Sequence, residues 1–357
     1  MKKIAIMLSA VAASSLMAAN IDLYGVAHVS GDSVDNGKNS TVVFASNSSR
    51  LGVKGSADIG HGLTALGQFE VGVDLTGTGS DDGNGGDYSN NAAMFTSARD
   101  SFVGVKGDFG MVLAGNLPGV NQWMYDYNLF ADQIGDLGNI WGNAGIGIDR
   151  ASNTVAYFIP DVVPGLSGDI AYVSDQNTAN NGKKITGVLV KANYENSGFK
   201  VGVGYLAVNN DTLVAPADNP TELAITGSYT MDNFSVGGGY LNSTNVAAGN
   251  TKDRTSYTAG ASYTIDAATL KAQWAAVSDD VANSDANMVA VGVDYALSKD
   301  ATVYAAYAQT NNDALATYKA NNWGHGKSAY GAPTAGNDPQ SFSIGFIYKF
   351  GGTVYEN

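Results

Sequence analysis

The side chains that could do chemistry are few. The chain has 357 residues with no cysteine and three histidines, His28, His61 and His325, far apart in sequence. The absence of cysteine excludes a disulfide scaffold and any thiolate-ligated zinc or iron–sulfur site. Three scattered histidines give no metal-binding spacing. The run Ser80-Asp81-Asp82-Gly83-Asn84-Gly85-Gly86-Asp87 has the oxygen content of a calcium loop. It lacks the fixed ligand order and a distal bidentate Glu, and reads as a flexible acidic loop. The Gly-rich stretches 202–204 and 237–239 precede no helix and are not phosphate loops; they read as inward or closely packed strand positions. No Ser/His/Asp set converges with motif context. No enzymatic activity, cofactor or metal is expected. Formal charge is −14, which excludes an ordinary nucleic-acid binder. The remaining candidates for function are fixed charges. Arginine occurs four times, at Arg50, Arg99, Arg150 and Arg254. Its guanidinium is always ionised.

These charges must be positioned by strands. The composition holds 45 Gly and 19 Tyr against 7 Pro, with 44% hydrophobic and 15% charged residues. So much Gly serves long helices poorly, and a mean hydropathy of −0.07 excludes a bundle of apolar membrane helices. Period-2 alternation runs through the chain. In 257–265, Tyr257, Ala259, Ala261, Tyr263 and Ile265 share one face, and Thr258, Gly260, Ser262 and Thr264 the other. The same alternation recurs around Phe199–Tyr205, Val289–Leu297 and Phe342–Phe350. Tight turns at 108–110, 231–233, 265–267 and 298–300 alternate with longer polar connections at 31–40, 76–93, 175–183, 209–220, 243–253, 279–286 and 311–338. Short turns on one side and long loops on the other characterise a transmembrane β-barrel. About sixteen strands are predicted, starting near residues 21, 41, 62, 97, 110, 152, 166, 184, 198, 221, 234, 254, 269, 287, 301 and 340. Tyr205, Tyr229, Tyr240, Tyr263, Tyr295 and Tyr348 gather towards segment ends, as interfacial girdles do.

The N-terminus reads as an address. Met1-Lys2-Lys3 is followed by an apolar run at 4–13 and then by small residues, the pattern of a secretory signal cleaved after Ala18 or Ala19. The domain reading is a signal peptide over 1–19 and a single barrel over 20–357.

Several stretches resemble the Gram-negative general porins, the trimeric sixteen-stranded family. Asn20-Ile21-Asp22-Leu23-Tyr24-Gly25 is similar to that family's first strand. Ser48-Ser49-Arg50-Leu51-Gly52-Val53-Lys54-Gly55, with the segments at 58–65 and 68–70, resembles its second hairpin. Arg99-Asp100-Ser101-Phe102-Val103-Gly104-Val105-Lys106-Gly107-Asp108-Phe109-Gly110, then Leu113-Ala114-Gly115-Asn116, resembles strands four and five. Arg150-Ala151-Ser152-Asn153-Thr154-Val155-Ala156-Tyr157 resembles the entry to strand six. The motifs cover most of 20–160; beyond that only the pattern matches, until the last strand.

The resemblance implies a multi-pass protein of the Gram-negative outer membrane. It would pass ions and small hydrophilic solutes by diffusion, as a homotrimer amid membrane lipid and lipopolysaccharide, with no nucleic-acid partner. It implies a third loop, residues 116–149, folded into the lumen, with acidic residues facing a basic wall. The wall positions are Arg50, Arg99 and Arg150, with Lys54 on the parity of Arg50. The loop carboxylates are Asp126, Asp132 and Asp136, and the loop also carries Asp149. Arginine at bilayer depth is tolerated facing protein or water, and three of the four arginines sit at these positions. Net charge suggests a weak cation preference that three wall arginines could reverse. His28 shares the parity of Tyr24 and could face the lumen. One departure stands out: the last strand reads as ending at Phe350, leaving 351–357 as a tail. Two rival readings are a non-channel surface barrel acting in adhesion and a secreted soluble β-sandwich.

Overall fold

A computed structural model describes residues 19–77, 94–118, 127–144, 146, 150–177, 182–321, 323–325 and 333–355. The signal segment 1–18, the acidic run 80–87, Asp126 and Asp149 lie outside them.

Sixteen antiparallel strands form one closed sheet. They are β1 (Ala19–Asp35), β2 (Ser40–Ser46 continued as Arg50–Gly60), β3 (Leu63–Val73), β4 (Phe95–Ala98 continued as Ser101–Gly107), β5 (Gly110–Pro118), β6 (Arg150–Phe158), β7 (Leu166–Val173) and β8 (Ile185–Asn196). There follow β9 (Phe199–Asn210), β10 (Thr221–Met231), β11 (Phe234–Ala247), β12 (Lys252–Ile265), β13 (Ala268–Asp279), β14 (Ala286–Ala296), β15 (Ala301–Asn312) and β16 (Gln340–Tyr355). Each pairs with its predecessor, and β16 pairs with β1 to close the ring. The predicted starts fall within two residues of these.

Alternation sets which side chain faces where. Val201, Val203 and Tyr205 are exposed, whereas Leu206 is buried. Leu223 and Ile225 are exposed while Glu222, Ala224 and Thr226 are buried. Apolar residues on an exposed face fit lipid contact. On that face, at the short-turn end, Phe199 and Tyr229 lie 4.2 Å apart ring to ring, and Tyr348 and Phe350 5.9 Å. Towards the loop end Tyr240 meets Tyr257 at 5.6 Å. Tyr257 and Tyr263 are six positions apart, roughly 20 Å along the strand, so the two belts bracket an apolar band.

Three readings need correction. β16 does not end at Phe350: pairing with β1 continues through Gly351↔Tyr24, Gly352↔Leu23, Thr353↔Asp22 and Tyr355↔Ile21. Residues 351–355 are strand, not tail, because β1 offers unpaired backbone beside them. A Cβ on Gly351 would sit 2.6 Å from the Leu23 carbonyl oxygen, so the close approach there needs glycine. The expected loop 31–40 shrinks to 36–39, since β1 pairs with both neighbours through Asp35. The loop 243–253 likewise shrinks to 248–251, where Ala248, Gly249 and Asn250 all take positive φ.

Candidate functional site

Each of the three predicted wall arginines stands beside a one-residue bulge. On β1 the partners of Arg50 and Ser46 are Val26 and Val29, so four steps on β2 face three. The extra residue lies at 47–49, where Ser48 has φ 47°. The bulge reverses the face: Val42 and Phe44 are exposed before it, Val53 after it, and Arg50 moves to the opposite face. On β4, Ala98 and Phe102 pair with Val71 and Gln68, again four steps against three, around Arg99. On β6, Ala151 and Thr154 pair with Leu117 and Gly115, three steps against two, with Asn153 at φ 54° close to Arg150. An inserted residue re-aims its neighbours and increases local twist.

The partners of these arginines differ from expectation. Arg99 Nε lies 2.6 Å from Glu70 Oε1, both side chains buried, and Tyr24 donates its hydroxyl to Glu70 Oε2 at 2.8 Å. Arg150 Nε lies 2.7 Å from Asp100 Oδ1. Among the described residues, wall carboxylates pair with Arg99 and Arg150, and Arg50 reaches the third loop, 3.6 Å from Asp132 Oδ2, with side-chain exposures of 26% and 36%. Lys54 keeps the parity of Arg50 but lies four residues along, roughly 13 Å away, with its ammonium 4.8 Å from the Tyr24 ring centroid. His28 is buried and 2.9 Å from the Tyr304 hydroxyl, so it does not meet solvent.

Asp136 does not face a passage. It is buried and caps the 3-10 turn Leu137–Asn139, accepting from Gly138 N at 2.7 Å, Asn128 Nδ2 at 2.9 Å and Asp132 N at 2.8 Å. Burial pushes its carboxyl up to about 7, with the neighbouring Asp132 charge adding to the rise and the Gly138 and Asp132 amides and the Asn128 amide opposing it. Its chemistry is that of a structural cap.

The third loop lies against the strand face opposite to the exposed apolar one. Lys271 on β13 donates to Leu129 O at 2.9 Å, Gln133 Oε1 at 2.8 Å and Asp294 Oδ2 at 2.8 Å. Gln273 accepts from Leu129 N at 2.9 Å and donates to Gly135 O at 3.1 Å. Glu222 on β10 accepts from Ile146 N at 2.8 Å and Ser243 Oγ at 3.1 Å. Glycines make room for the loop's rings. A Cβ on Gly237 would come within 2.7 Å of Tyr127, and one on Gly239 within 2.6 Å of Trp141. Trp141 opens the short helix α1 (Trp141–Ala144) and is fully buried. Glycine at 237 and 239 was predicted to be inward or closely packed, and it is.

Sequence reasoning missed Glu70, Asp100, Lys271, Gln273 and Glu222. A signal existed for two of them: Lys271 and Glu222 alternate with Leu270 and Leu223, so a charge on the non-lipid parity marks each.

A closed barrel with an apolar outer belt and paired charges on its other face defines an outer-membrane β-barrel protein. This chain belongs to the Gram-negative porin family, whose model matches residues 5–315. Outer membrane porin protein 32 of Delftia acidovorans is 28% identical over 376 residues, covering 98% of this chain and 100% of that protein. Major outer membrane protein P.IB of Neisseria gonorrhoeae is 32% identical over 216 residues, 56% of this chain and 55% of that protein; the chain thus spans about half the length of that relative. An anion-selective porin from Comamonas acidovorans shares the fold with a TM-score of 0.75 at 24% identity, covering 93% of this chain and 100% of that one. The trimer form of OmpT, an outer membrane protein of Vibrio cholerae, shares it with a TM-score of 0.67 at 19% identity, covering 93% and 100%.

Proposed function

We propose that the chain forms a water-filled outer-membrane channel for passive diffusion of ions and small hydrophilic solutes. Residues 116–149 narrow the lumen, and Arg50, Arg99 and Arg150 line it at that level, with Lys54 further along the wall. The observation that carries this reading is the Arg50–Asp132 pair, 3.6 Å apart and partly exposed on both sides. It places opposite charges on wall and loop, the arrangement that sets a transverse field across a narrow passage. Arg50, Arg99 and Arg150 face Asp132, Glu70 and Asp100, three cations against three anions. Selectivity is therefore weak, and neutralising the arginines leaves three carboxylates. Names among its relatives support the reading: one is an outer membrane porin and a fold neighbour is an anion-selective porin. A homotrimer, with membrane lipid and lipopolysaccharide around it, fits the family and the trimer form of the OmpT neighbour. No enzymatic role is proposed.

The test is conductance in a planar lipid bilayer under a salt gradient. Stepwise openings closing in threes are expected for a trimeric pore. Replacing Arg50, Arg99 and Arg150 together by Gln moves the reversal potential towards cations and raises conductance. Silence from folded, inserted protein would leave a surface barrel acting in adhesion as the better account.

A further inference from the structure

The loop from 313 to 339, between β15 and β16, is the feature that the channel reading does not absorb. Its composition is that of an exposed polar connection, rich in Asn and Gly. Its described middle is nevertheless buried: Ala316, Ala320 and Asn321 are nearly inaccessible, and His325 is 2% exposed. The backbone runs against the third loop. Ala320 O accepts from Gly135 N at 2.8 Å, and Trp323 N donates to Asn139 Oδ1 at 3.1 Å. The Trp323 ring lies so close over the third loop that a Cβ on Gly142 would come within 2.6 Å of it, and one on Gly138 closer still. The far end of the segment is tied to the wall. Ser48, inside the β2 bulge, donates to Gly324 O at 3.0 Å. His325 Nε2 is 2.9 Å from Asp32 Oδ2 on β1, and its Nδ1 is 3.4 Å from Asp132 O.

We propose that residues 316–321 and 323–325 form a strap that holds the third loop down across the channel, latched by the His325–Asp32 pair, and that unlatching it widens the passage. The proposal rests on the channel reading above. It touches three parts of the constriction: the bulge that aims Arg50, the residue that pairs with Arg50, and the helical turn capped by Asp136. The latch is ionic at its centre. Asp32 is buried and also accepts from Ser343 Oγ at 2.6 Å and Ser30 Oγ at 3.0 Å. Its cationic partner is His325. A buried carboxylate that loses its cation is costly, so the strap holds best with His325 protonated.

The charges around His325 are Asp32 on β1, Asp132 and Asp136 on the third loop, and Arg50 on β2, with His28 and Tyr304 beyond Asp32. Burial opposes the imidazolium, but the Asp32 carboxylate overrides it, aided by Asp132, and His325 titrates above its ordinary 6.5. A basic group with a raised value in the folded state adds stability that is full below about 6.5 and fades as pH rises through the raised value. The latch is thus closed below about 6.5 and released as pH rises through the raised value. Asp136 also changes charge by about 7, so the step that belongs to His325 is the one that His325→Gln removes.

Single-channel conductance and closing voltage are to be measured from pH 5 to pH 10 on the full chain, with heat-modifiable gel mobility as the check on folding. The wild type is expected to conduct more, and more noisily, once pH passes the latch. His325→Gln is expected to sit at the higher level with that step missing. The double variant Asp32→Asn with His325→Gln restores an uncharged hydrogen-bonded pair and stays at the lower level, also without the step. Trp323→Ala, which leaves the ion pair intact, raises conductance at every pH. Variants that conduct and titrate like the wild type would overturn the strap and leave the channel standing. A wild type that is folded but never conducts would overturn both.

Discussion

The two sides of the barrel wall are built by different means. From β1 to β6 the register is interrupted repeatedly, and three of the interruptions stand beside an arginine. From β8 to β16 the register shifts once, between β11 and β12 beyond Ser243, at the loop end. The interrupted side carries the three wall arginines; the regular side carries the weight of the third loop, with glycine removing side chains where Tyr127 and Trp141 must fit. A strand can thus contribute to a site by an added residue that redirects a side chain, or by a missing side chain that admits one from elsewhere.

Deleting Ser48 attacks the interrupted side most directly. With continuous register, either Arg50 turns to lipid, at up to about 4 kcal/mol if near the bilayer midplane, or Val42 and Phe44 turn inward. The expected outcome is a sharp drop in the heat-modifiable folded fraction, whereas Ser48→Gly, which suits a positive φ, folds normally.

Next in size, Trp141→Ala attacks the regular side. Truncating a fully buried Trp costs about 3–5 kcal/mol, here spent on loop docking and not on the strand ladder. Hydrogen exchange should speed up across 127–144 while strand amides keep their protection. Equal acceleration in both would show that loop and wall are one cooperative unit.

The pH response of Asp136 sharpens the contrast further. An acid held up at about 7 from an ordinary 3.8 makes docking strongest in acid. Docking weakens as pH climbs from about 4 and levels off past about 7. Asp136→Asn flattens that slope, read as loop exchange rates against pH, and leaves the response that His325→Gln abolishes.

The smallest expected effect on stability comes from Arg50→Ala. A partly exposed ion pair contributes about 0–1 kcal/mol, so thermal unfolding barely moves. The reversal potential under a salt gradient should shift measurably towards cations. A large stability loss with no shift in reversal potential would recast Arg50 as structural.

Strand number, order and starts were legible because period-2 alternation repeats in nearly every span and the turn residues are distinctive. The arginine positions were legible through the family resemblance. The bulges were not: Ser48 and Asn153 are ordinary strand and turn residues, and an extra residue shows only once partners are known. Partner choice was hidden for the same reason, since Glu70 and Asp100 meet Arg99 and Arg150 through register and not through sequence distance. The burial of Asp136 depends on amides that converge only after the loop folds. His325 and Asp32 lie on segments that read separately as a polar loop and a strand end, and nothing in either predicts the other. The tail after Phe350 was misread because the resemblance led to a last strand closing on its aromatic residue, and the β1 backbone beside Gly351 and Gly352 shows only once the ring is closed.

The seam between β1 and β16 joins Ile21 to Tyr355, so the first strand waits for the last. Closing so long a stretch of chain is slow on entropic grounds, and until it happens both seam strands present open edges to any neighbouring polypeptide. An unfinished copy of this protein is therefore a sticky one, and the cell must escort the chain from its first strand to its final one before it can be left alone.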